Sequence, residues 1–79
     1  MTKPKAGQVA QQQALVKYFG LTYRMAAAIM GTNHRTVWQH VAANKGSNVA
    51  TWESRPEDVK EQAIVEAQKA INAYAMRNR

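Results

Sequence analysis

The chain has 79 residues, no cysteine and a net charge of +6, with a sequence pI of about 10.1. One small domain of this length buries only roughly 60–65 % of its unfolded surface, which makes a lone subunit marginal. Disulfides and thiolate metal sites are excluded, and no apolar run reaches the roughly 18 residues that span a membrane.

The opening MTKPKAGQV lacks the apolar core of a signal peptide, so a cytoplasmic protein is expected. Residues 1–7, with Lys3, Pro4, Lys5 and Gly7, read as a flexible basic arm. A first helix is predicted over residues 8–19, with Val9, Gln12, Val16 and Phe19 on one face and Leu15 beside them. Gly20 ends it, Leu21 turns the corner into the core, and Thr22 caps the next helix. Tyr18 and Tyr23 read as packing residues.

The second helix carries Tyr23, Ala26, Ala27 and Met30 at i, i+3, i+4 and i+7, which is one helical face. Met25 and Ile29 are expected to point toward the first or last helix. Gly31 stops this helix, because glycine alone takes the left-handed conformation cheaply. Thr32 and Asn33 then offer side-chain oxygens to open a third helix over residues 34–43, with Val37 and Val41 facing the core. Residues 44–53 follow as a loop pinned by Trp52. Ser54, Pro56 and Glu57 make a helix start with a capping box. The last helix is predicted to run to about Met76, with Ile64, Ala67, Ile71 and Tyr74 spaced as an apolar stripe.

The charge is unevenly placed. Residues 1–52 contain Lys3, Lys5, Lys17, Arg24, Arg35 and Lys45 and no acid, a balance of +6. Residues 53–79 contain Arg55, Lys60, Lys69, Arg77 and Arg79 against Glu53, Glu57, Asp58, Glu61 and Glu66, a balance of zero. A polyanion is the partner such an asymmetry fits.

Residues 22–41, TYRMAAAIMGTNHRTVWQHV, are two short helices around a tight turn, with Ala27 four residues before Gly31 and Val37 six after it. This arrangement resembles the helix-turn-helix of phage and bacterial DNA-binding regulators. The ending TVWQHV is also similar to the recognition helix of response-regulator effector domains. That family places an aliphatic residue three after the valine, where this chain has His40. Either His40 is partly buried or the helix is rotated by up to a third of a turn.

The resemblance implies an all-α fold of four helices: a basic arm (1–7), a helix-turn-helix domain (8–53) and a long C-terminal helix for dimerisation (54–79). It implies duplex DNA as partner, with the third helix in the major groove. Asn33, His34, Arg35, Thr36 and Gln39 are the expected base contacts, since Arg matches guanine and Gln matches adenine. Lys3, Lys5, Lys17, Arg24, Thr32 and Lys45 are the expected phosphate contacts. Ile64, Ala67, Ile71 and Tyr74 are the expected dimer stripe, pairing two subunits on an inverted repeat. Trp38 is assigned to core packing ahead of contact with deoxyribose. No cofactor, metal, membrane or small-molecule ligand is expected, and His34 and His40 are too far round the helix to share a metal.

The function that follows is sequence-specific transcriptional regulation, with a repressor as the family analogy. Two other readings keep the motif: a DNA-packaging or recombination accessory protein, and a protein-binding adaptor. An enzyme is not expected, because no nucleophile–base pair or phosphate loop is present.

Overall fold

The computed structural model describes residues 6–43 and 50–77. Its elements are α1 (Ala6–Lys17), α2 (Tyr23–Met30), α3 (His34–Trp38, continued by a π-helical turn at Gln39–Ala43) and α4 (Glu57–Arg77). The fold is all-α, and no strand occurs among the described residues. No helix of the described residues is long and apolar enough to cross a membrane.

α1 starts at Ala6, so the last two residues of the predicted arm are helical; residues 1–5, including Lys3 and Lys5, lie outside the described residues. Its end is closed by backbone bonds from Tyr18 N to Ala14 O (2.9 Å) and Leu21 N to Leu15 O (3.0 Å). Gly20 makes this closure with φ 72°, and Gly31 closes α2 the same way with φ 71°. A Cβ at either position would meet nothing within 4 Å. The dihedral is therefore what requires glycine, not the space. Thr22 caps α2, its hydroxyl accepting from Met25 N at 3.1 Å.

Ala10, Ala14 and Leu15 of α1 meet Ala26, Ala27 and Ile29 of α2, Val37 and Val41 of α3 and its π-turn, and Ala63 and Ala67 of α4 in one buried core. Alanine supplies most of these positions, so the helices approach through methyl groups. Leu15 and Val37 are the largest apolar side chains fully enclosed. Each such residue stabilises the fold by about 2 kcal/mol through burial alone.

Several expectations are corrected here. Met25 is 42 % exposed while Ile29 is buried, and Tyr18 is exposed instead of packed. The capping box at Ser54 does not form. Ser54 Oγ donates to Thr51 O at 3.0 Å, and Thr51 Oγ1 accepts from Ser54 N at 3.2 Å. α4 opens two residues later, with Pro56 O accepting from Lys60 N at 3.0 Å.

Part of the expected dimer stripe packs within its own chain. Ala67 is fully buried against its own chain. Ile64, Ile71 and Tyr74 are half-buried on the same core. The spacing identified a real apolar seam, and α1 packs along it.

Candidate nucleic-acid interface

The turn between α2 and α3 is fixed by local chemistry. Gly31 is left-handed, and Thr32 N reaches back to Ala27 O at 2.9 Å. Asn33 then caps α3: its Oδ1 accepts from Thr36 N at 2.8 Å and from the Thr36 hydroxyl at 3.1 Å. This commits the acceptor of Asn33 to the helix, so its amide NH2 is the group left to face a ligand. Thr36 is half-buried beneath it.

Asn33, His34 and Arg35 are exposed at the start of α3, and Gln39 is half-buried one turn further. His34, Arg35 and Trp38 line a shallow cleft together. Trp38 is 43 % exposed, so it belongs to this outer surface and not to the core. Arg24 is exposed at the start of α2, and Thr32 is half-buried in the turn. Lys17 ends α1, 3.9 Å from Glu53, with both side chains largely in solvent; such a pair holds the lysine only weakly. Lys45 lies outside the described residues.

The far end of α3 is held differently. From Gln39 the helix widens into the π-turn, a form in which backbone bonds run i to i+5. The widening lets Val37, His40 and Val41 all turn inward, with both valines buried and His40 half-buried. His40 is thus partly buried, and the helix is locally unwound around it.

Two glutamines of α1 receive this turn. Gln12 and Gln13 are 4 % and 1 % exposed, the only buried polar side chains among the described residues. Gln12 Oε1 lies 2.7 Å from His40 Nδ1, which assigns the ring proton to Nδ1. Gln13 Nε2 donates to His40 O at 3.0 Å and to Ala50 O at 2.8 Å, while Gln13 Oε1 accepts from Arg55 Nε at 2.6 Å. One amide thus ties the π-turn after α3, the segment before α4 and the Arg55 guanidinium together. Burial lowers the His40 pKa from its ordinary value, favouring neutral imidazole.

Gln13 and Arg55 were not singled out by sequence reasoning. Gln12 had been placed on the inward face of α1, and that position was the available signal. Among the described residues no three His, Cys, Asp or Glu side chains group to hold a metal ion. No protein-family model matches the chain, and neither the curated proteins nor the solved structures give a match.

Proposed function

We propose that the chain is a sequence-specific double-stranded-DNA-binding transcriptional regulator that lays α3 in the major groove. The observation that carries this reading is the outward ridge of His34, Arg35 and Trp38 on a capped helix, in a half of the chain that has no acid. A major groove about 12 Å wide admits one such helix. Arg35 is the guanine reader and Gln39 the adenine reader, each good bidentate contact contributing about 1–3 kcal/mol of discrimination. The Asn33 amide adds a donor, and Trp38 an apolar surface suited to a thymine methyl or deoxyribose. Arg24, Thr32 and Lys17, with Lys3, Lys5 and Lys45, supply phosphate contacts that set position and salt dependence.

The test is fluorescence anisotropy over a salt series, with the duplex upstream of the protein's own coding region and a scrambled duplex. Steep salt dependence with a preference for the first duplex, lost in Arg35→Ala while non-specific binding remains, supports the reading. Equal binding of both duplexes, unchanged by Arg35→Ala, moves the assignment to a packaging or recombination accessory. Weak binding with little salt dependence moves it to a protein-binding adaptor.

A further inference from the structure

We propose that two copies of this chain pair antiparallel through the outer face of α4, each inserting Met76 into a groove on the other. The groove lies where the end of α1 meets the middle of α4, and Tyr18, Phe19, Ile64, Val65, Gln68 and Lys69 line it. The Tyr18 and Phe19 rings meet edge to face with centroids 5.0 Å apart. Tyr18 is 60 % and Val65 50 % exposed, and Met76 is 70 % exposed. An exposed aromatic surface is a favourable seat for a flexible thioether.

Geometry selects a second copy as the occupant. Met76 follows Val65 by eleven residues on one helix. That step returns to within about 20° of the same face, roughly 16 Å along the axis. A two-fold axis across α4 near Gln68 and Asn72 brings the Met76 side chain of each copy to the Val65 groove of the other. Both knobs and both grooves are filled at once, which is what an isologous interface requires. Gln68 Nε2 and Asn72 Oδ1, already bonded at 3.1 Å, sit at the axis, where polar groups fix register.

Charge selects the orientation. Residues 57–66 hold Glu57, Asp58, Glu61 and Glu66 against Lys60, a balance of −3. Residues 67–79 hold Lys69, Arg77 and Arg79 and no acid, a balance of +3. Antiparallel helices set unlike halves together, and parallel helices set like halves together. This face is opposite to the Ala63 and Ala67 seam that α4 uses within its own chain.

The experiment is sedimentation equilibrium on the full chain without DNA, so its outcome is separate from the DNA-binding reading. The expected species has twice the 8.8 kDa of one chain. Val65→Asp and Met76→Asp change exposed positions, so both variants keep the wild-type circular dichroism and each weakens dimerisation at least tenfold. The chain has no cysteine, which allows a direct test of orientation. Val65→Cys chains mixed with Met76→Cys chains form an oxidised cross-link, and neither variant does so alone. A monomeric wild type at millimolar concentration overturns the proposal, as does a dimer indifferent to both aspartates. Cross-linking of Val65→Cys with itself overturns the antiparallel arrangement.

Discussion

The two ends of α3 are held by opposite means. The N-terminal end is closed within four residues, by Asn33 Oδ1 accepting from Thr36, and it faces solvent. The C-terminal end is held across the chain, by Gln12 and Gln13 reaching His40 over 28 and 27 positions of sequence. A local cap costs little to make and leaves the surface free for a partner. A buried amide network costs more to break, because each lost partner leaves a desolvated polar group behind.

Substitutions separate the two ends by size. Gln13→Ala strips the amide from His40 O, Ala50 O and Arg55 together, and is expected to destabilise the fold by roughly 2–4 kcal/mol. Urea unfolding followed by circular dichroism measures this, and a loss under 1 kcal/mol would remove the contrast between the ends. Asn33→Ala is expected to cost about 1 kcal/mol in the same assay. Asn33→Asp sharpens the comparison, since it keeps the cap and its stability. Its added negative charge should nonetheless weaken DNA binding at least fivefold at low salt, read by anisotropy.

The third expectation concerns His40 alone. Its folded pKa is lowered by burial, so the unfolded chain takes up the proton first. Stability is fully present above the unfolded histidine value of about 6.5 and declines as pH falls below it toward the folded pKa. The urea midpoint should therefore drop across that interval in the wild type. In His40→Gln that part of the profile should flatten, and an unchanged profile would assign the loss to other groups. The smallest stability effect belongs to Arg35→Ala, within about 0.5 kcal/mol by urea unfolding, because the side chain is exposed.

The same contrast explains what was legible beforehand. Thr22, Gly31 and Asn33 act on residues three or four positions away, and such signals survive in a single sequence. The two short helices on either side of Gly31 and the exposure of Arg35 followed from them. The Trp38 surface did not follow, because the π-turn changes what the helix can bury and depends on receptors in α1. The destination of the α4 stripe was equally hidden: spacing marks Ile64, Ala67, Ile71 and Tyr74 as apolar, but packing against α1 and α2 decides how much of it is internal. Ser54 instead donates to the Thr51 carbonyl three residues upstream, while the Thr51 hydroxyl accepts from Ser54 N.

The alanine core restricts how this sequence can drift. Six of its ten members are alanine: Ala10, Ala14, Ala26, Ala27, Ala63 and Ala67. Every replacement but glycine adds atoms where backbones already touch, and overpacking costs about 1–3 kcal/mol. Most cores fail by hollowing, through truncation of large side chains. This one has few to truncate, so its inherited variation is filtered mainly by bulk, and apolar character alone does not make a substitution acceptable.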